Sequence, residues 1–236
     1  MIYAGILAGG IGTRMHRMDI PKQFLMLGSK PIIIHTIEQF FINSMIDRII
    51  IAVPSNWVLY TIDLIKKYIP QNDRIFVILG GVNKNESTFN IIQYIKEQWD
   101  IVDDDIIVAH DAIRPFVTQR IINDNIKKVK QYGVVNTVMP TTDTIINSTD
   151  GERIVEIPIK SHMYFEQTPQ SFNIGKLKYI FDTIDIKSIQ KESELMRLFI
   201  NNGMEIHMVY GESFNIKIVT PYDLEVSNSL IKEIKK

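Results

Sequence analysis

A glycine-rich segment near the N-terminus contains the first residues whose types and spacing could do chemistry. Directly after an apolar run come Ala8-Gly9-Gly10-Ile11-Gly12-Thr13-Arg14 and, a little further on, Lys22. Glycines let backbone amides approach phosphate oxygens, and two cations beside such a backbone suit a triphosphate. The spacing fails both common phosphate loops, because Met15 stands where the dinucleotide-binding pattern needs glycine and Ile11 where a Walker A motif needs lysine. A plain tight turn with solvated cations is the alternative for this segment alone.

The segment His110-Asp111-Ala112-Ile113-Arg114-Pro115 places a carboxylate just beyond the apolar run Ile106–Ala109. We expect Asp111 to lie at the carboxyl end of a strand and to face the same crevice as the glycine turn. It could bind Mg²⁺, which needs only one or two protein carboxylates plus substrate phosphates. We interpret His110 as a structural residue hydrogen-bonded beneath the site, and we expect Arg114 to pair with a neighbouring carboxylate. A helix N-cap is the alternative for a lone aspartate here.

A second pair of glycines, Gly80-Gly81, opens a polar segment that ends at Ser87. Paired glycines would let a base lie against the backbone, and Asn83 and Ser87 could hydrogen-bond the edge of a pyrimidine. N-capping of a helix by Asn85 or Ser87 would explain the same residues.

Two further segments carry polar groups that could hold a phosphate. Lys217 lies inside the short apolar stretch Asn215–Ile218, where an unpaired ammonium would be costly, so we expect its side chain to point at an anion. Lys160 and Thr168 offer a cation and a hydroxyl to a polyol phosphate, with an ordinary polar surface as the alternative.

These segments must be positioned by short strands that alternate with helices. The pattern predicts an α/β, Rossmann-like, mostly parallel sheet with helices on both faces, in a single domain over residues 1–236. The predicted strands are Ile2–Leu7, Arg48–Val53, Ile75–Leu79, Ile106–His110, Val134–Met139, Glu205–Tyr210 and Asn215–Ile218. The predicted helices are Ile32–Phe41, Trp57–Tyr68, Glu86–Trp99, Gln119–Gln131 and Pro221–Glu233.

Residues 141–170 interrupt this alternation. The dipeptide Asp150-Gly151 is a good hairpin turn between Asp143–Asn147 and Arg153–Pro158. An isolated hairpin is marginal in water, so we expect residues 141–170 to form a β-arm that packs on a second copy of the chain, giving a homodimer.

Composition excludes several classes of partner. The 26 Lys and Arg residues balance 27 Asp and Glu residues, so no nucleic-acid or membrane partner is predicted. The chain contains no cysteine, which excludes disulfides and thiolate metal sites. Neither a basic N-terminal region nor an apolar run of about 20 residues is present, so we expect a cytoplasmic protein.

Taken in order, the motifs resemble those of the cytidylyltransferases of the methylerythritol phosphate and ribitol phosphate type, across nearly the whole chain. The matching segments are Leu7–Met15, Pro21–Gln23, Gly80-Gly81, His110–Pro115, Thr168–Gln170 and Asn215–Lys217. The resemblance implies transfer of a cytidylyl group from CTP to an alditol phosphate, with Mg²⁺ as cofactor and pyrophosphate as the second product. Segments His162–Tyr164, Gln167–Phe172 and Ile218–Leu224 look more like the ribitol branch.

D-ribitol 5-phosphate is therefore the expected acceptor, which would supply teichoic acid or another cell-surface polysaccharide. The alternative acceptor is 2-C-methyl-D-erythritol 4-phosphate. A non-catalytic nucleotide-binding regulator and a sugar nucleotidyltransferase that uses UTP or GTP are further alternatives. A nicotinamide-dependent oxidoreductase is disfavoured by the glycine spacing.

The resemblance also implies roles for individual residues. The expected catalytic cations are Arg14, Lys22 and Lys217. The expected nucleotide-binding residues are Leu7, Ala8, Gly9, Gly10, Gly12, Thr13, Gly81, Ser87 and Ala112. The expected substrate-binding residues are Asp111, which is also the Mg²⁺ ligand, Arg114, Thr144, Lys160, Thr168 and Ser193. The chain departs from the family pattern where Val82 replaces an acidic residue, Lys84 and Lys160 each replace an arginine, and Ser193-Glu194 replaces Thr-Asp.

Overall fold

The computed structural model of the chain describes residues 1–9, 20–71, 73–192 and 194–234. The strands in this part of the chain are β1 (Ile2–Leu7), β2 (Met26–Leu27), β3 (Lys30–Pro31), β4 (Arg48–Val53), β5 (Ile75–Leu79), β6 (Ile106–Asp111), β7 (Val134–Pro140), β8 (Tyr164–Asn173) and β9 (His207–Tyr210). Seven of them form one sheet in the order β5-β4-β1-β6-β8-β7-β9, and β2 pairs with β3. Strands β5, β4, β1 and β6 are parallel, β8 runs antiparallel between β6 and β7, and β9 is parallel to β7.

Helices cover both faces of this sheet. They are α1 (Ile32–Phe41), α2 (Val58–Tyr68), α3 (Lys84–Gln98), α4 (Gln119–Tyr132), α5 (Ile174–Thr183), α6 (Ile186–Lys191), α7 (Leu195–Asn201) and α8 (Pro221–Ile234). The α4 helix has clear local signals at both ends, since the Thr118 hydroxyl accepts a hydrogen bond from the Ile121 amide at 3.3 Å and Gly133 follows with a φ of +83°.

Alternate residues of the central strands supply two separate cores. Ala4 and Ile6 of β1 pack with apolar residues of α1, α2 and α4, whereas Tyr3 packs on the opposite face with residues of α3, α5 and α7. The predicted α/β fold with a mostly parallel sheet and helices on both faces is confirmed. Within the described residues, no helix has both the length and the apolar character needed to cross a membrane.

The structure corrects the prediction at two strands. Asn215–Ile218 is irregular rather than a strand, because it is held by single contacts to a turn instead of a ladder. Residues 164–170, predicted to belong to the arm, are part of β8 inside the main sheet. The sequence did not predict this strand because Pro169 and the polar residues around it are unfavourable in a central strand. Pro169 lies where the pairing of β8 with β7 is irregular.

Residues 141–163 form the part of the predicted arm that projects from the sheet. One isolated bridge joins Asn147 to Glu156, and Gly151 has a φ of +78° at the predicted turn. The sequence pattern also gave no indication of helices α5, α6 and α7.

Candidate active site

The centre of the site is Asp111, the last residue of β6, whose side chain is only 3% exposed. Three cations surround its carboxylate. Lys84 Nζ lies 2.9 Å from Oδ1, while Lys217 Nζ and Arg114 Nε lie 3.1 Å and 3.2 Å from Oδ2. The expected pairing of Arg114 with a neighbouring carboxylate is therefore confirmed, and the anion that Lys217 faces in this structure is Asp111.

The charges in this cluster shift one another. Burial acts to raise the pKa of Asp111, but Lys84, Lys217 and Arg114 outweigh it and hold the pKa of this carboxyl well below its usual range. Burial lowers the pKa of Lys217 and outweighs Asp111, which acts in the opposite direction, while the nearby Lys84 lowers this pKa further. Burial acts to lower the pKa of Lys84, but Asp111 outweighs this effect, and the pKa of Lys84 is raised. Asp111 is thus an anion at neutral pH, and its oxygens direct two lysines into one place.

A chain of hydrogen bonds beneath Asp111 fixes its backbone. Thr168 Oγ1 accepts from the Asp111 amide at 3.1 Å and lies 2.9 Å from His110 Nδ1, while His110 Nε2 lies 3.1 Å from the Arg114 carbonyl. A carbonyl can only accept, so Nε2 carries the proton and Nδ1 accepts from the Thr168 hydroxyl. His110 is fully buried, which lowers its pKa to about 4. His110 is therefore structural, as predicted, and Thr168 lies under the site instead of on the arm.

Lys217 is positioned by contacts on both sides of it in the sequence. The Ile218 amide donates to the Ile113 carbonyl at 2.9 Å, and Arg114 Nη1 donates to the Asn215 carbonyl at 2.9 Å. Asn215 is fully buried, and its Nδ2 donates to both Gln167 Oε1 and the Thr168 carbonyl at 3.0 Å. The irregular segment that carries Lys217 is thus tied to the turn after β6 and to β8.

The turn after β5 places Lys84. Helix α3 is capped by Asn83, whose Oδ1 accepts from the Glu86 amide at 2.9 Å, so the alternative of a cap at Asn85 or Ser87 is wrong. Ser87 Oγ instead donates to the Asn83 carbonyl at 2.8 Å and accepts from the Gly81 amide at 3.0 Å. These bonds close the turn and put Lys84 at the first residue of the helix, at the carboxyl edge of the sheet.

Residues 7–9 at the end of β1, together with the turns after β5 and β6, border a cleft of about 350 Å³. Predicted site residues that line it are Leu7, Ala8, Gly9, Lys22, Ser87, Asp111, Ala112 and Lys217. Gln23 also lines the cleft, and its Nε2 donates to the Ala8 carbonyl at 2.7 Å, which holds the segment of Lys22 against the first turn.

A side chain could not fit at Gly81, which directly precedes the cleft-lining residues Val82 and Asn83. A Cβ at this position would lie 2.4 Å from the Glu86 Cβ. Glycine is therefore required at this position, where the Gly81 amide donates to Ser87, a residue that lines the cleft.

Other predicted residues do not meet in the cleft. Thr144 and Lys160 are exposed on the arm, where Lys160 Nζ donates to the Thr142 carbonyl at 3.0 Å. Arg114 reaches the site through Asp111 but lines a neighbouring cavity. The predictions for Gly10, Gly12, Thr13, Arg14 and Ser193 lie outside the described residues.

The cleft also contains charged residues that the sequence analysis did not assign to the site. Lys84 was noted only as a departure from the family pattern, although its place shortly after a strand at the same sheet edge was a usable signal. Glu194 lines the cleft, and burial together with the neighbouring Glu166 raises its pKa. Glu194 was likewise noted only as part of a departure from the family pattern, because α7 and its start were not predicted.

The residues of the cleft fit Mg²⁺ in one specific way. Among the described residues, no three or more His, Cys, Asp or Glu side chains come together as a metal site. Mg²⁺ can nevertheless be held by one carboxylate together with substrate phosphates, and Asp111 supplies that carboxylate. The site therefore suits Mg²⁺ that arrives with a nucleotide.

A cationic cleft over one buried carboxylate, at the carboxyl edge of a parallel α/β sheet, is the site of a nucleotide-binding protein. The family model for IspD, 2-C-methyl-D-erythritol 4-phosphate cytidylyltransferase, matches residues 2–233. The chain belongs to this family. It is accordingly a CTP-using cytidylyltransferase, an enzyme of the nucleotidyltransferase class.

One solved structure agrees with this assignment, and others share the fold. The 2-C-methyl-D-erythritol 4-phosphate cytidylyltransferase of Francisella tularensis is 27% identical, with 97% of this chain and 98% of that chain covered and a TM-score of 0.78. The fold also matches 4-diphosphocytidyl-2C-methyl-D-erythritol synthase of Anaerococcus prevotii, at 23% identity, 98% coverage of both chains and a TM-score of 0.79. The 2-C-methyl-D-erythritol 4-phosphate cytidylyltransferase of Thermus thermophilus has the same fold, at 21% identity and a TM-score of 0.75, with 98% of this chain and 100% of that chain covered.

Proposed function

We propose that the chain transfers the cytidylyl group of CTP to 2-C-methyl-D-erythritol 4-phosphate. The observation that supports this most directly is the cluster of Lys84, Lys217 and Arg114 around Asp111 in the cleft. The family model, which matches residues 2–233, covers every residue of this cluster. The description of the family and the name of the Francisella tularensis enzyme both favour this acceptor over D-ribitol 5-phosphate.

In this reaction a phosphate oxygen of the acceptor attacks the α-phosphorus of CTP. A new bond forms between that oxygen and the α-phosphorus, the bond from the α-phosphorus to the bridging oxygen breaks, and pyrophosphate leaves with the electron pair. The attacking oxygen is already anionic, so no general base is required. Lys22 and Lys217, which both line the cleft, would stabilise the charge that develops at the α-phosphate. Arg14 is proposed for the same role on sequence alone.

Mg²⁺ is part of the proposal, with Asp111 as its protein ligand and the triphosphate as the source of its other anionic ligands. When bound, the ion would neutralise phosphate charge and help pyrophosphate leave. Because cations already contact Asp111, we expect the ion to bind together with the nucleotide instead of before it.

A homodimer formed through the arm is also proposed. Thr144 and Lys160 lie on exposed parts of the arm and do not line the cleft of their own chain. This placement is expected if they contact the acceptor in the cleft of a second copy. Exposed apolar residues follow the same arm: Ile146, Ile154, Val155, Ile157 and Ile159.

D-ribitol 5-phosphate is the second candidate acceptor. It is favoured by the resemblance of His162–Tyr164, Gln167–Phe172 and Ile218–Leu224 to the ribitol branch. Separately, Lys160 on the arm departs from the family pattern, in which an arginine stands at this position. Lysine keeps the positive charge but loses the two-pronged contact with phosphate, so the acceptor phosphate could be held differently.

The deciding experiment is pyrophosphate release from CTP and Mg²⁺ with each acceptor supplied alone. We expect turnover with 2-C-methyl-D-erythritol 4-phosphate and a loss of about 10²–10³ in rate in Lys217→Ala, as for removal of one well-aimed donor. Lys30→Ala is the matched control, because Lys30 pairs with Glu38 outside the cleft. Turnover only with D-ribitol 5-phosphate would replace the proposed acceptor, and turnover with neither would refute both.

A further inference from the structure

The two oxygens of Asp111 are contacted by different numbers of cations. Lys217 Nζ and Arg114 Nε both lie against Oδ2, whereas Lys84 Nζ lies against Oδ1. Loss of Lys217 would therefore still leave Arg114 on Oδ2. Loss of Lys84 would uncover Oδ1 toward the cleft that Lys84 lines.

Arg114 and Lys84 also differ in how firmly they are held. The Arg114 side chain is 10% exposed and donates to the Asn215 carbonyl at 2.9 Å and the Glu166 carbonyl at 3.4 Å. The Lys84 side chain is 40% exposed, at the first residue of α3, and its ammonium stands at the end of a flexible four-carbon stem. Lys84 can therefore change partners by side-chain rotation alone, without moving the backbone.

Charge pairing decides when such a change is favourable. A buried carboxylate without a counter-charge is strongly destabilising, so Lys84 should stay on Asp111 until another cation replaces it. A nucleotide that arrives with Mg²⁺ brings both a cation for Oδ1 and an anion for Lys84. The exchange then leaves neither charge unpaired.

We propose that Lys84 is an exchangeable counter-ion, which covers Asp111 Oδ1 in the nucleotide-free protein and moves to the triphosphate when CTP and Mg²⁺ bind. This inference rests on the proposed use of CTP and Mg²⁺. Lys84 would contact Asp111 before the nucleotide binds and the triphosphate afterwards. Lys84 thereby keeps free divalent ions off Asp111 and adds a third lysine, beside Lys22 and Lys217, to the binding of the triphosphate.

The first test measures Mn²⁺ binding without nucleotide, by electron paramagnetic resonance, in Lys84→Met and Lys217→Met. Both variants remove one positive charge next to Asp111, but only Lys84→Met uncovers Oδ1. We expect Mn²⁺ to bind Lys84→Met about tenfold more tightly than the wild type, as expected when a competing occupant is removed, with a smaller gain in Lys217→Met. An equal gain in both variants, or none in Lys84→Met, would overturn the proposal.

The second test measures CTP binding with Mg²⁺ by calorimetry, without any acceptor. We expect Lys84→Met to weaken binding by about tenfold, Lys84→Arg to restore most of it, and Lys30→Met to change nothing. Unchanged CTP affinity in Lys84→Met would overturn the second contact. Lys84→Gln replaces Lys84→Met if the latter does not fold.

These measurements are independent of turnover, so their outcome is distinguishable from that of the acceptor assay. A wild-type chain that binds CTP but transfers it to neither acceptor would refute the proposed function and leave the exchange intact. Turnover by the wild type, combined with unchanged CTP and Mn²⁺ binding in Lys84→Met, would support the proposed function and refute the exchange.

Discussion

His110 illustrates how a residue next to reacting groups can serve the structure of the site. Its ring bridges Thr168 and the Arg114 carbonyl, and Thr168 in turn holds the amide of Asp111. This arrangement requires a neutral ring with its proton on Nε2. A protonated ring would carry a second N–H donor on Nδ1, so that Nδ1 could no longer accept the hydrogen bond from the Thr168 hydroxyl. It would also bury a positive charge.

The stability of the protein should therefore depend on pH through His110. Its pKa is about 4 in the folded chain against 6.5 for an unperturbed histidine, so the unfolded chain binds the proton more readily between these values. The stabilisation is fully present above about pH 6.5 and is lost as the pH falls toward 4, by about 3 kcal/mol. Chemical denaturation of the wild type and of His110→Gln from pH 4.5 to 7 measures how the free energy of unfolding of each protein depends on pH.

A smaller pH dependence in His110→Gln is the expected result, and the same dependence in both proteins would contradict it. Asp111 is not a confounding group in this window. Because its pKa is lowered, its carboxylate stabilises the folded state above the unfolded value of about 4, and that stabilisation is lost only at lower pH.

At the level of elements, the segment that carries Lys217 depends on Asn215. The amide of this side chain reaches both Gln167 and Thr168, and its backbone carbonyl receives Arg114. Lys217 itself contributes no such anchor, since its contact in the structure is with Asp111. The position of a catalytic candidate is thus set by a fully buried neighbour that does not line the cleft.

Asn215→Ala should loosen this segment. It removes two buried hydrogen bonds, and we expect a loss of about 1–3 kcal/mol in the free energy of unfolding. Amide hydrogen exchange over residues 211–220 should become faster, and turnover should fall because Lys217 is less fixed. Asn202→Ala is the control, because Asn202 Nδ2 donates only locally, to the Leu198 carbonyl. Exchange rates that stay at the wild-type level in residues 211–220 would refute this role.

For the whole molecule, the arm of residues 141–163 is the feature that a second copy would explain. It exposes several aliphatic side chains, among them Ile157 at 61% and Ile159 at 65%, on a segment in which an isolated bridge joins Asn147 to Glu156. Exposed apolar residues close together on a projecting segment are typical of an interface.

We expect sedimentation velocity to give a species of twice the 27.3 kDa chain mass, and Ile157→Asp to shift it to the monomer. Acceptor-dependent turnover should fall in the same variant, whereas CTP binding should remain. Leu59→Asp is the matched control, since Leu59 is 77% exposed on α2, away from the arm. A wild-type chain that sediments as a monomer at all concentrations would rule out the proposed dimer.

Much of this protein could be predicted from its sequence because the signals are local. The apolar runs of β1, β4, β5, β6 and β7 and the periodicity of α1, α2, α4 and α8 are each contained in a few residues. Parallel strands place their following turns at one edge, so Asp111, Lys22 and Ser87 could be expected in one crevice.

Only the tertiary structure decided where the remaining parts meet. The polar β8 became a strand because β6 and β7 offer it hydrogen bonds on both sides, which its own residues do not signal. Likewise, the pairing of Lys84 with Asp111 depends on how α3 and β6 approach each other across the cleft. Local pattern determines most strands, helices and turns and the nearby pair Asp111–Arg114, whereas the pairing of Asp111 with Lys84 and Lys217 is determined by contacts between residues far apart in the chain.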